Sequence, residues 1–171
     1  VNIGSYGAFA NAHFVLFNNQ VAGTITAQGR DLTRTMSRLT QEYWWDKWHL
    51  DTELHNKLYI KDVKALDRTE EVSIYADTDS LFVSFKPAMD HCDWKHEYKS
   101  ELDFIHALDG KRFAGYFRKC LAEHAEKYGV ENKQDFELER ISESIINIAK
   151  KKYIQHIIYE DGIPYDRLTY M

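Results

Sequence analysis

The chain has 171 residues and is rich in apolar and aromatic side chains, enough for one compact domain or one with an appendage, and too apolar for disorder. No apolar run approaches the roughly 20 residues that cross a bilayer, no signal peptide opens the chain, and two cysteines, Cys92 and Cys120, make no disulfide framework, which together point to a reducing cytoplasm. A formal net charge of −5 argues against a general nucleic-acid binder, although an average cannot reveal a local basic patch. The abrupt start on Val1 and the end in "RLTYM" read as a piece cut from a longer protein.

In chain order, "NIGSYGAFAN" opens with small residues, and Gly4 and Gly7 predict a tight backbone or a close approach to a ligand. From about 21 to 49 the pattern is helical, with Leu32, Met36, Leu39 and Tyr43 drawing one apolar stripe. Trp44, Trp45 and Trp48 extend it and read as core or a domain contact before a base-stacking surface. "NKLYIKDVKAL" is a short strand or a connector. Next, "SIYADTDSLFVSF" sets Asp77 and Asp79 between two apolar runs, which predicts a hairpin over about 71 to 86, stopped by Lys86-Pro87. Alternation places Ile74 and Ala76 on one face of its first strand and Ser73 and Tyr75 on the other.

Residues 88 to 100 read as a polar loop. Helical segments follow over about 101 to 108 and 110 to 128, the second carrying Phe113, Tyr116, Phe117, Cys120, Leu121 and Ala125 at helical spacing. Gly129 ends it, and Cys120 falls on the buried stripe. "FELERISESIINIA" and "KKYIQHIIYE" are two strands joined at a turn. Strands on both sides of a helical segment predict an α+β fold, with a mostly antiparallel sheet covered by helices on one face.

Asp-x-Asp on an extended backbone sends both carboxylates to one side. Hard cations such as Mg²⁺ are held by one or two carboxylates plus substrate phosphates, and a metal pair can stabilise the attacking and leaving oxygens of phosphoryl transfer. Taken alone, Asp-Thr-Asp is more simply turn chemistry, because Asp favours turns. His91, Cys92 and His96 have a loosely metal-like spacing but lack the pairs a structural zinc uses, so they read as loop residues. Walker loops and Ser-His-Asp signatures do not stand out.

The flanks of Asp-Thr-Asp change the balance. Tyr-Ala-Asp-Thr-Asp-Ser followed by an apolar strand closely resembles Y-G-D-T-D-S, motif C of the family B DNA polymerases, with Ala76 in place of the usual Gly. Upstream, "SYGAFAN" is similar to the end of that family's motif B, K-x-x-x-N-S-x-Y-G. Tyr6 and Gly7 match the Tyr-Gly, Ile3 and Gly4 occupy the Asn and Ser places, and the lysine would fall before Val1. "AGTITAQGR" is similar to the helix start that follows motif B, especially in phage enzymes. Downstream, Lys150, Lys151, Lys152 and Tyr153 resemble the K-K-R-Y motif, with Lys152 in the Arg place; without that context three lysines are a solvated strand end.

This resemblance implies a polymerase palm, with residues 1–50 as the end of the fingers and a fingers-to-palm helix, and residues 51–171 as a partial palm. It implies template-dependent transfer of a nucleotide from a dNTP to a primer 3′-hydroxyl. Two Mg²⁺ ions would serve the complete enzyme, with Mn²⁺ as a substitute. Asp79 would be the more direct ligand and Asp77 its support, with Glu139 a third carboxylate. Tyr6, Gly7 and Thr78 would lie by the incoming nucleotide. Lys151, with Lys150, Lys152 and Tyr153, would hold the primer, Lys151 sharing a strand face with Tyr153. Primer–template DNA and dNTP would be partners, along with exonuclease, finger and thumb domains outside this chain, in the cytoplasm of the host. The family's motif A, D-x-x-S-L-Y-P, is not in the 171 residues, so the chain alone is expected to be inactive. Two rival readings stay open: a non-catalytic palm-like module that binds nucleic acid or a partner, and a structural Ca²⁺ or Mg²⁺ site without chemistry.

Overall fold

Asn18 starts the longest helix. Its side chain accepts from the N–H groups of Gln20 and Val21, both at 3.1 Å, satisfying two donors that a helix start leaves open. In the computed structural model, which describes residues 3–77, 80–149 and 151–170, this helix is α2 (Asn19–Glu42), preceded by α1 (Ile3–Ala10). The stripe on α2 buries Leu32 and Met36 as the spacing predicts, together with Thr33 and Thr40.

The helix does not run regularly to residue 49. It widens into a π turn at Tyr43–Lys47 and then tightens into a 3-10 turn at Trp48–Leu50. The cause is in the spacing. Met36, Thr40, Trp44 and Trp48 recur every four residues, and four residues overshoot a regular turn by about 40°. One wide turn takes up that overshoot. Trp44 and Trp48 thereby reach 0 % exposure and are core, while Trp45 is partly buried against that core.

Asp51 caps α3 (Thr52–Leu58) by accepting from the Leu54 N–H at 3.2 Å, and also accepts from the Tyr43 hydroxyl at 2.7 Å. The stretch after it is a connector carrying a single bridge, Lys61 to Asp93. The predicted hairpin forms as β1 (Ser73–Ala76) and β2 (Leu81–Val83), antiparallel. Its register shifts between Ser73 and Tyr75, yet burial along the first strand alternates as expected, with Ser73 and Tyr75 half-buried and Ile74 and Ala76 exposed.

Lys86-Pro87 stops β2 as expected, but the chain does not then become a plain loop. Pro87 lies in the first turn of α4 (Lys86–Asp90), where its missing N–H costs nothing. Ser100 caps α5 (Glu101–Leu108) through the Asp103 N–H. A second π turn, Asp109–Phe113, joins α5 to α6 (Ala114–Glu126) without a break. Leu108 and Phe113 are five apart, and only a wide turn puts both on one face, at 0 % and 1 % exposure. Gly129, at φ +67°, turns the chain away just beyond α6.

The last strands are β3 (Arg140–Ala149), β4 (Lys152–Glu160) and β5 (Ile163–Tyr170). Two of them were expected. β5 was not, because Pro164 and the charged pair Asp166-Arg167 dilute its apolar content. Among the described residues the strands form two antiparallel sheets, β1-β2 and β3-β4-β5, rather than one. The α+β class holds. Cross-strand partners put Ile145 and Gln155 on the inner face of the larger sheet, where Gln155 is buried. The outer face, with Ile146, Leu168 and Tyr170, is exposed. The main core joins Tyr43, Trp44, Trp48, Leu54, Leu58, Val72, Phe104, Leu108 and Phe113. A smaller one joins Leu32 and Met36 of α2 to Cys120 and Leu121 of α6, so Cys120 is core as read.

Candidate active site

Two groups from α2 and one from the π turn that follows it fix the β1-β2 hairpin. Gln41 accepts through Oε1 from the backbone N–H of Val72 at 2.8 Å and of Ser73 at 3.1 Å, and donates through Nε2 to the Glu70 carbonyl at 3.1 Å. The hydroxyls of Ser37 and Ser73 lie 2.6 Å apart. Trp45 donates to the same Glu70 carbonyl at 3.0 Å. Helix periodicity could not have found Gln41, because its value lies in what it offers a strand far away in sequence.

At the hairpin tip the Asp77 N–H donates to the Ser80 carbonyl at 3.0 Å and closes the loop. Thr78 and Asp79 lie outside the described residues, as does Lys150. The Asp77 carboxylate is one-quarter exposed, and the Lys151 ammonium sits 3.1 Å from its Oδ2. Lys151 is not on a strand. Ala149 pairs with Lys152, and Lys151 lies in the turn between β3 and β4. Lys151 takes φ +60° there, in the left-handed region that tight hairpin turns require. The shared strand face expected for Lys151 and Tyr153 therefore does not exist, and the turn aims Lys151 at Asp77 instead.

Lys152 opens β4 and is exposed. Tyr153, one residue on, packs its ring edge-on against Phe82 at 5.6 Å and Tyr75 at 6.4 Å, while those two rings contact each other at 5.4 Å. These three rings join the small sheet to the large one. Aromatic pairs of this geometry are each worth about 0.5–1.5 kcal/mol beyond the area they bury.

Glu139 is placed elsewhere. It precedes β3, its carbonyl accepts from the Asp161 N–H at 3.0 Å, and the register pairs Arg140 with Glu160 at the end of the hairpin opposite the Ala149–Lys152 pair. Ten residue steps of about 3.3 Å put it on the order of 30 Å from that pair. The fold does not bring Glu139 to Asp77. Tyr6 and Gly7 lie in α1, Tyr6 described through its backbone only. A Cβ built on Gly7 would meet nothing within 4 Å, so no close approach within the chain demands glycine there.

His91, Cys92 and His96 do not converge either. His91 Nδ1 lies 2.8 Å from the Pro87 carbonyl, and His96 Nδ1 lies 3.3 Å from an Asp93 oxygen. Burial, helped by Asp93, pushes the Cys92 thiol up to about 12, so it stays protonated and poor as a ligand. Among the described residues no group of three His, Cys, Asp or Glu could hold a metal ion. Asp77 offers the oxygen donors that a hard cation takes, but among the described residues it is a single carboxylate already paired with the Lys151 ammonium.

Among curated proteins none matches this chain. A family model for DNA polymerase family B matches residues 4–93, just over half of the chain, from α1 through the Asp77–Asp79 hairpin. The match covers the hairpin tip and the helix that clamps it, and on it the chain belongs to DNA polymerase family B.

Proposed function

We propose that this chain is the motif C part of a DNA-directed DNA polymerase, with residues 1–50 at the base of the fingers and residues 51–171 in the palm, and that it acts in template-dependent nucleotidyl transfer. The observation that carries this reading is the contact of Lys151 with Asp77, seconded by the Tyr153 rings. It unites, in space, two segments that resemble separate motifs of one active site.

Asp77 and Asp79 would hold Mg²⁺, or Mn²⁺ in its place. Bound there, the metal pair of the complete enzyme would supply charge neutralisation on the phosphoryl oxygens. The protein's own residues do the positioning. Gln41 and Ser37 hold the hairpin base against α2, so its tip is presented from a rigid element. Tyr153 fixes the distance between that tip and the lysine turn. Lys150, Lys151 and Lys152 offer positive charge to the primer phosphates, which an otherwise acidic chain lacks. Tyr6, Gly7 and Thr78 would border the nucleotide. Primer–template DNA and dNTP are the proposed partners, with the enzyme's other domains, in a host-cell cytoplasm and with a phage enzyme as the nearest type. Among the described residues no helix is long and apolar enough to cross a membrane. Glu139 has no part in the proposed site, by its position.

The test is the double substitution Asp77→Asn with Asp79→Asn in the whole polymerase. Primer extension should fall by on the order of 10²-fold or more, by analogy with the loss of one group that stabilises transition-state charge, while circular dichroism stays unchanged. Undiminished synthesis would favour a non-catalytic module. The 171-residue chain, lacking D-x-x-S-L-Y-P, should show no metal-dependent extension by itself.

A further inference from the structure

Leu39 and Tyr43 stand two residues to either side of Gln41, about 200° round the helix from it. The hairpin therefore takes one side of α2, and α6 meets the other. There the Tyr116 hydroxyl donates to the Leu39 carbonyl at 3.0 Å, and its ring lies 4.9 Å from that of Tyr43. A groove of about 410 Å³ opens beside this contact. Gly115 lines it and is exposed, and a Cβ built there would meet nothing within 4 Å.

The cations that line the groove are all lysines. The first π turn supplies Lys47, the second supplies Lys111, and α6 supplies Lys119. The Lys47 ammonium lies 6.0 Å from the centre of the Tyr116 ring. That of Lys111 lies 5.8 Å from the Tyr59 ring and donates to the Lys57 carbonyl at 2.5 Å. Ring faces thus steer two of the three ammoniums. Among the described residues no carboxylate forms an ion pair with Lys47 or Lys111, and Lys119 has only Glu123, at 3.8 Å. Three ammoniums face one lining carboxylate, in a chain whose net charge is −5.

We propose that this groove binds the phosphate backbone of a single nucleic-acid strand, at a site separate from the hairpin tip. The cations select phosphate. A carboxylate is matched two-to-two by the arginine fork, whereas lysine meets a phosphate as a point charge. The size selects a single strand. A space of 410 Å³ is on the scale of small-ligand pockets, about 300–1,000 Å³, and takes sugar and phosphates but not a duplex. Lysines set around an aromatic floor are the usual means of tracking a single strand. The site requires nothing of the hairpin, which is fixed on the far side of α2.

The experiment is fluorescence anisotropy of the 171-residue chain with a short labelled oligothymidylate, titrated at several salt concentrations. Each phosphate contact to a single strand adds about 0.7 to the slope of log affinity on log salt. Lys47→Gln with Lys119→Gln should weaken binding several-fold and lower that slope by about 1.4, two such contacts. Both lysines are exposed, so circular dichroism should not change. Lys47→Arg with Lys119→Arg should keep the parent slope. Gly115→Glu, a change that favours helix and sets a carboxylate in the groove, should weaken binding too. Lys133→Gln, exposed and paired with Glu131 outside the groove, should leave the slope as it is. A slope that Lys47→Gln with Lys119→Gln does not move, an equal loss from Lys133→Gln, or no binding by any of the proteins would overturn the site. A labelled polyglutamate peptide that binds and is released by the groove substitutions, while the oligothymidylate is unaffected, would overturn the nucleic-acid assignment in favour of an acidic protein segment.

Discussion

His156 sits on the outer face of the larger sheet, with Nδ1 2.8 Å from Glu143 and Nε2 2.7 Å from Asp166. The hydrogen bond to Asp166, with Glu143 assisting, raises its pKa above the ordinary 6.5. A raised pKa means that the folded chain holds a proton the unfolded chain has lost. The stability from this clamp is full below pH 6.5 and is lost as pH rises through the raised value. His55 has the opposite sign. Burial lowers its pKa, and its contribution is full above 6.5 and lost as pH falls through the lowered value. Thermal melts across pH should therefore fall off on both sides of neutrality, and His156→Gln should flatten the alkaline side alone. At Tyr153 the expectation concerns packing. Tyr153→Ala removes two ring contacts at a half-buried site and should cost about 1–3 kcal/mol in urea unfolding, less than a fully buried aromatic. A cost near zero would mean that the rings do not join the sheets in solution.

At the scale of elements, the two π turns are the informative departures from regularity. A reading in units of 3.6 residues finds the helices but breaks the second at 108–110, where the chain runs on through Asp109–Phe113. The cue was present, since Leu108 and Phe113 stand five apart. It is invisible to any template that assumes one period. β5 was missed because Pro164 and polar residues dilute its alternation, and pairing with β4 supplies what its own sequence lacks. The hairpin tip was legible because carboxylates between apolar strands are both a turn signal and a chemical one. The turn geometry of Lys151 was not legible, because the turn between β3 and β4 is set by which residues pair on either side. Gln41 was not legible at all. Within α2, Gly23 is exposed, helical and free of neighbours where a Cβ would go. Gly23→Ala should therefore stabilise the chain by about 0.5–1 kcal/mol, read as a higher melting temperature.

Among the described residues, the molecule consists of a helical body with an aromatic core and two sheets, joined where Tyr153 meets the β1-β2 hairpin. The larger sheet presents Ile146, Leu168 and Tyr170 on its outer face at 62 %, 73 % and 67 % exposure, and β5 is an edge strand. That combination has a colloidal consequence. An edge with open backbone groups beside an apolar face is a template for adding another strand, and only Pro164 and the charges of Asp166 and Arg167 blunt it. Self-association of the chain at high concentration should then proceed through β5, not through the tryptophans, which are turned inward. Light scattering should show a smaller apparent mass for Leu168→Lys than for the parent chain at equal concentration, with the helical body unaltered. The same substitution would be the practical route to concentrated samples, since position 168 pairs with His156 and stands well away from the lysine turn.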